Sequence, residues 1–429
     1  MKIVVIGGGP GGRTAAIEAA EIGEEVTLIE NNKIGGKCLN EACMVVCGFN
    51  DVAKFVRNAE NFNELGITDL KPEINFKNVT EGIKGTTDKI RHVLTDETQQ
   101  AGVKILMGTA KLHEGFVSVN GRDYNYDKLI IATGSRALIP NVLGAGTART
   151  YKNVLKIREI PEKMIIIGGG TISAEFAGIF SAMGSKVHVL CRSRFLKMLD
   201  DDTRSYVAQK LLNGVEIHEN IEVTEIRPEG VSTEDGNMEG MVLLATGMVP
   251  NSELAAHLVD TGSRGEILVN KRMETSHENV YAAGDVVGGI MSTPVSRMEG
   301  VVAARNACGI FAEADYRFIP HSISLQYDVG FISSENREET EGYIPGSAGP
   351  GAFWSVLKGE TGLTKAIVDV KTGEIKGLSS ISPSARTNMA YMSKLLRDGC
   401  KAQDFDNFME VHPSTDAVYK LMRFFSKFG

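Results

Sequence analysis

The segments "KIVVIGGGPGGRTAAIEAAEIGEEVTLIE", from Lys2, and "KMIIIGGGTISAEFAGIFSAMGSKVHVLCRS", from Lys163, follow one plan. Each begins with a short aliphatic, largely β-branched run, Ile3 to Ile6 in the first and Met164 to Ile167 in the second, that reads as a buried parallel strand. Glycines follow at once: Gly7, Gly9 and Gly12 in the first copy, Gly168 and Gly170 in the second, where Ser173 takes the third place. A helix rich in small residues and a further strand complete each unit. The first glycine permits a sharp turn, the second lets the backbone approach a pyrophosphate, and the third lets helix and strand pack closely. The helix N-terminus offers free N–H groups and partial positive charge to the phosphates. Gly7 and Glu30 lie 23 positions apart, and so do Gly168 and Cys191. One βαβ unit is used twice, which confines the chain to an α/β class with a pair of nucleotide-binding domains.

The two units differ where they would touch a ribose. The first ends in an acid, Glu30, placed to accept a 2′,3′-diol. The second has Cys191 there, followed by Arg192 and Arg194, so no acid receives a 2′-OH and two guanidinium groups stand near the place of a 2′-phosphate. That pattern favours NADP over NAD; the alternative is two solvated arginines in a loop. Two further buried runs, "YDKLIIATGS" with Gly134 and "GMVLLATGMVPN", lead into Ala-Thr-Gly turns. The segment "ETSHENVYAAGDVVGG" is a strand ending on Gly284 and Asp285. A carboxylate in that setting can hold a chain of hydroxyls, or be a plain surface-turn aspartate.

A chain of 429 residues has room for about two to four domains. Its net charge of −8 and lack of a basic run argue against nucleic acid as a partner. No apolar run reaches membrane-spanning length, and "MKIVVIGG" is already a strand pattern rather than a leader, so a cytoplasmic protein is expected. Six cysteines in such a protein are not a structural disulfide framework. Three of them, Cys38, Cys43 and Cys47, crowd into "GGKCLNEACMVVC". A close pair in this setting is more often catalytic or metal-binding.

The glycine fingerprint with Glu30, "CLNEAC", the two Ala-Thr-Gly turns, the second fingerprint and "YAAGD" occur in the order found in the pyridine nucleotide–disulfide oxidoreductases. The chain resembles the class that contains dihydrolipoamide dehydrogenase, glutathione reductase and mercuric reductase, over essentially its whole length. The resemblance implies Rossmann-like FAD and NAD(P) domains plus a C-terminal α+β dimerisation domain. Expected borders are 1–147 and 275–315 for FAD, 148–274 for NAD(P), and 316–429 for the interface domain, in a homodimer whose active sites use both chains. It implies that Gly7, Gly9, Gly12, Glu30, Gly134 and Asp285 serve FAD, and that Gly168, Gly170, Arg192 and Arg194 serve NAD(P)H. It also implies that Cys38 and Cys43 form a redox-active disulfide that passes electrons from the flavin to a disulfide substrate. Cys43, nearer a helix start that would lower its pKa, is expected to be the thiol against the flavin, and Cys38 the one that attacks substrate. His412, in "VHPSTDAVYKL", matches the histidine that shuttles a proton between subunits; otherwise it is a residue that merely begins a helix.

The chain departs from its class at several places. Cys47 stands where a lysine pairs with the glutamate that matches Glu175, and Thr171 stands where a gating tyrosine is usual. The acid that orients the histidine falls on Ala417, with Asp416 one position early. The chain ends "RFFSKFG", without the vicinal cysteines of mercuric reductase. Cys47, one helical turn beyond Cys43, is a small core residue, a resolving thiol, or a further ligand beside Cys38 and Cys43. The last option defines a rival: a flavoprotein electron carrier with a cysteine-ligated metal or iron–sulfur centre, fed by a protein donor such as ferredoxin. The spacing is not a standard metal one, so no metal ligands are assigned.

Overall fold

A computed structural model describes residues 1–332 and 340–428. Three principal sheets carry the architecture. The first runs in the order Val280–Ala282, Lys128–Ile131, Lys2–Ile6, Glu25–Glu30, Lys104–Met107, with every neighbouring pair parallel. Ile3, Val5, Leu28, Leu129, Ile130 and Ile131 are fully buried, as strands covered on both faces require. The second sheet, Val215–Glu219, Lys186–Cys191, Lys163–Ile167, Met241–Leu244, is also wholly parallel. The third is antiparallel, in the order His321–Ile323, Asp328–Ile332, Glu374–Ser382, Leu363–Asp369, Thr340–Pro345, and is joined by the helices Ala385–Arg397 and Val418–Phe428. The α/β reading with two doubly wound units and a C-terminal α+β unit is what the chain adopts.

Both fingerprints fold alike. Ile6 pairs with Ile29, and the Gly7 N–H donates to the Ile29 carbonyl at 2.8 Å. Ile167 pairs with Leu190, and the Gly168 N–H donates to the Leu190 carbonyl at 2.9 Å. Gly7 has φ +111°, and a Cβ there would lie 2.2 Å from the Ala132 carbonyl oxygen; Gly168 has φ +132° and would meet the Ala245 oxygen at the same 2.2 Å. Only glycine fits either turn.

The helix Pro10–Ile22 presents Ala15, Ala16 and Ala19 to the core and lies against the helix Thr293–Ala307. The approach is so close that a Cβ on Gly300 would come within 2.3 Å of the Gly11 carbonyl oxygen. This contact brings a segment almost 300 positions away in sequence onto the first glycine turn and sets its N-terminus beside the cysteines. No helix among the described residues is long and apolar enough to cross a membrane.

Candidate active site

The site grows from the first glycine turn. The helix after it has Gly9 as N-cap with no side chain closing its end, so its first-turn N–H groups face outward. Gly36 lies over this end; a Cβ on it would be 2.7 Å from the Gly9 Cα. Gly36 also begins the short helix Gly36–Asn40, which carries Cys38. Cys43 is the first residue of the helix Cys43–Glu64. The glycine turn and the thiols therefore share one cleft wall.

Glu30 ends its strand buried, with one carboxylate oxygen accepting from the Gly8 N–H at 2.7 Å and the other from the Asn32 N–H at 2.7 Å. Each oxygen keeps a lone pair for a diol. At the equivalent place in the second unit Cys191 is buried, and its Sγ would lie 2.9 Å from a Cβ on Gly169. Gly170 caps the helix Thr171–Ala182 without a side-chain bond and has open space before it. Arg192 is exposed; Arg194 is also exposed but forms an ion pair with Asp201. Of the two guanidiniums, Arg192 is the better placed to meet an incoming phosphate.

Asp285 follows Gly284 at the end of the strand Val280–Ala282. It accepts from Ser135 Oγ at 2.7 Å and Ser296 Oγ at 3.3 Å, and pairs with Lys37 Nζ at 2.6 Å. Lys37 reaches Ser135 as well, at 2.5 Å. Behind Asp285, the buried Glu299 accepts from the Gly284 N–H and from the Tyr316 hydroxyl, both at 2.8 Å. Burial pushes the Glu299 carboxyl up to about 7. Gly134, with φ +71°, makes the turn that delivers Ser135 to this cluster.

The cysteines are both free, and both sulfurs lie near the Thr293 hydroxyl. The Cys43 S–H donates to Cys38, and with the Thr293 hydroxyl at 3.1 Å and the Arg297 and Lys37 cations it outweighs burial, so Cys38 falls to about 6. Cys43 moves the other way, pushed up chiefly by that shared hydrogen bond. The donors around Cys38 lower its thiol, and the helix start at Cys43 does not offset the hydrogen bond the two cysteines share. A specific donor close at hand outweighs a helix end whose charge is only partial. Cys47 is half-buried one turn along, and the sulfurs of Cys38, Cys43 and Cys47 do not converge as ligands of one ion among the described residues.

Glu175 accepts from the Ser324 N–H at 3.0 Å, and its pKa is raised by burial. Ser324 is held by Arg386; Arg386 pairs with Asp328 at 3.0 Å, and so does Lys54 at 3.1 Å. The lysine missing at Cys47 is replaced by a backbone donor and a small charge network. Asp416 is occupied elsewhere. It accepts from the Tyr391 hydroxyl at 2.7 Å and from the Val418 N–H at 2.8 Å, at the start of the last helix. His412 is exposed, and no hydrogen bond joins it to Asp416 or to the cysteines among the described residues. Thr293, Lys37, Ser135, Ser296 and Glu299 were not singled out from sequence; only the "GD" turn and the cysteine segment pointed to their neighbourhood.

Comparison with known proteins agrees with this arrangement. Residues 1–300 match the pyridine nucleotide-disulphide oxidoreductase family, and residues 352–423 match the dimerisation domain of the same family. An uncharacterized protein of Methanocaldococcus jannaschii is 31% identical over 99% of this chain and 98% of its own. A dihydrolipoyl dehydrogenase of Acholeplasma laidlawii is 32% identical over 71% of this chain and 95% of its own. Among solved structures, the HOCl-induced flavoprotein disulfide reductase RclA from Escherichia coli superposes with a TM-score of 0.87 at 24% identity, covering 100% of both chains. A paired glycine turn, a cysteine pair set beside one of them, and a separate dimerisation domain converge on one assignment: the chain belongs to the pyridine nucleotide-disulphide oxidoreductase family.

Proposed function

We propose that the chain is an FAD-dependent NAD(P)H:disulfide oxidoreductase that works through Cys38 and Cys43. The observation that carries this reading is the thiol pair gathered on one hydroxyl, Thr293 Oγ1 lying 3.1 Å from Cys38 Sγ and 4.0 Å from Cys43 Sγ, beside an uncapped glycine turn. The residues fit FAD: Glu30 has lone pairs for the adenosine ribose, the N–H groups of Gly9, Gly11 and Gly12 suit the pyrophosphate, and the Asp285, Ser135 and Ser296 cluster suits the ribityl hydroxyls. When bound, FAD supplies hydride acceptance from the nicotinamide and delivery of an electron pair to the disulfide.

The thiol chemistry then belongs to the protein. Cys38 thiolate attacks one sulfur of the substrate disulfide, a mixed disulfide forms, and the other substrate sulfur leaves as a thiol with a proton. Cys43 next attacks Cys38, closes the Cys38–Cys43 bond and releases the second thiol. His412, exposed on the C-terminal unit, is assigned the delivery of the protons to a second copy's site. We assign the borders 1–147 with 275–315, 148–274 and 316–429 to the FAD, NAD(P) and dimerisation domains of a homodimer. NADPH is the preferred donor, supported by buried Cys191 in place of a ribose-binding acid and by exposed Arg192.

Anaerobic titration with NADPH and then NADH, following the visible spectrum, tests the proposal. Uptake of more electrons than flavin alone accepts, with a long-wavelength thiolate-to-flavin band, is the expected result. Reduction of flavin without that band, or no reduction by either nucleotide, would refute it.

A further inference from the structure

The second sheet carries a group of side chains that the redox reading leaves unused. His188 lies on the strand Lys186–Cys191, and Glu216 and His218 lie on the neighbouring edge strand Val215–Glu219. In the parallel register His188 faces Glu216, and Leu190 faces His218. Side chains alternate along a strand, so His188, Glu216 and His218 share one face. The site sits three residues, about 10 Å along the strand, before Cys191 and the nucleotide turn.

The donor atoms converge. His188 Nδ1 is 3.3 Å from His218 Nε2 and 3.3 Å from Glu216 Oε2, and His218 Nε2 is 3.9 Å from the same oxygen. Two donors each 2.0–2.1 Å from a tetrahedral ion lie about 3.3–3.4 Å apart, because the angle between them is near 109°. Two of the three edges already have that length. The third needs a shift of roughly half an ångström by a half-exposed glutamate, well within one side-chain torsion. The ring centroids lie 5.5 Å apart with planes at 24°, so the two nitrogens now face each other across a hydrogen bond, and an ion between them requires both rings to turn.

We propose that His188, Glu216 and His218 form a binding site for a first-row divalent metal ion of the zinc type, with a fourth position open to water or an exchangeable ligand. The surrounding charges narrow the choice. Lys186 pairs with the other oxygen of Glu216 at 3.1 Å, and Lys163 lies on the adjoining strand opposite Lys186. These cations disfavour hard ions that bind mainly through charge, such as magnesium or calcium, whereas two imidazoles select zinc, nickel or copper. A bound ion would clip the edge strand to its neighbour and stabilise the nucleotide domain by mass action.

The test uses the FAD-loaded, air-oxidised protein after chelator treatment, so that Cys38 and Cys43 are not available as competing ligands. Zn(II) uptake is measured by equilibrium dialysis with elemental analysis, and the unfolding midpoint is recorded with and without Zn(II). About one equivalent per chain should bind to the wild type and to Cys38→Ser, and Zn(II) should raise the midpoint of both. His188→Gln and His218→Gln should bind roughly a hundredfold more weakly, at least the cost of losing an indirect support of a metal site. Glu216→Gln, at an exposed position that does not threaten folding, should weaken binding about tenfold and reduce the thermal shift. Wild-type affinity in Glu216→Gln and both histidine variants would overturn the proposal. So would the absence of Zn(II) binding to the wild type, or its loss in Cys38→Ser.

Discussion

Replacing Thr293 by valine removes one hydroxyl and almost no volume, and the structure says what that hydroxyl does. Its Oγ1 lies 3.1 Å from Cys38 Sγ and 4.0 Å from Cys43 Sγ, so it serves Cys38 first. In wild type Cys38 stands at about 6, against an ordinary thiol value of 9.0. At pH 7 that difference takes the thiolate from roughly one molecule in a hundred to about nine in ten. A hydrogen bond to a charged group contributes about 1.5–3 kcal/mol, or roughly one to two pKa units. Thr293→Val should therefore move Cys38 to about 7–8 and slow its alkylation at pH 7 by about two- to tenfold. The sign is fixed: the thiolate is lost as pH falls through the folded value, so the variant loses it at higher pH than wild type. The assay is the rate of iodoacetamide labelling of the dithionite-reduced protein between pH 5 and 10, with mass spectrometry to identify the labelled cysteine. An unchanged midpoint in Thr293→Val, or Cys43 labelling ahead of Cys38 in the wild type, would refute the reasoning.

Removing the larger donor by Cys43→Ala should raise the Cys38 midpoint further than Thr293→Val does, since the Cys43 S–H is the leading cause of the depression; the same labelling profile reads it. Arg192→Ala should raise the KM for NADPH by about tenfold and leave that for NADH nearly unchanged, whereas Arg194→Ala, already paired with Asp201, should move either less. Cys47→Ala should still take up the same number of reducing equivalents in an anaerobic titration, because its sulfur does not converge with the other two. Glu299, at about 7 against 4.5 when unfolded, makes folding less favourable as pH rises through that window; the raised value costs about 3 kcal/mol above pH 8. Urea unfolding should accordingly show Glu299→Gln to be more stable than wild type at pH 8 and equal to it at pH 4, with the loss of that difference at pH 8 counting against the assignment.

The glycine turns were legible because their constraint is local and steric. A Cβ at Gly7 or Gly168 meets a carbonyl oxygen at 2.2 Å, and no distant residue can relieve that. The equivalence of Glu30 and Cys191 was legible for the same reason, since identical register carries position 23 of each unit to the same place. The pKa order of the cysteine pair was not. It depends on Thr293 and Arg297, some 250 positions away, which arrive only because the helices at Pro10–Ile22 and Thr293–Ala307 touch through Gly11 and Gly300. Local sequence offered a helix start at Cys43 and could not contain the donors that reach Cys38. The substitution at Cys47 follows the same rule. Judged by its neighbours in sequence it leaves Glu175 without a cation, yet the fold brings the Ser324 N–H to the carboxylate and Arg386 nearby from the third sheet's side. A neutral backbone donor compensates a buried carboxylate less than an ammonium does, which is why burial still raises Glu175. The departure at Cys47 therefore leaves a carboxylate that is kept, hydrogen-bonded and biased toward its protonated form on the helix Thr171–Ala182.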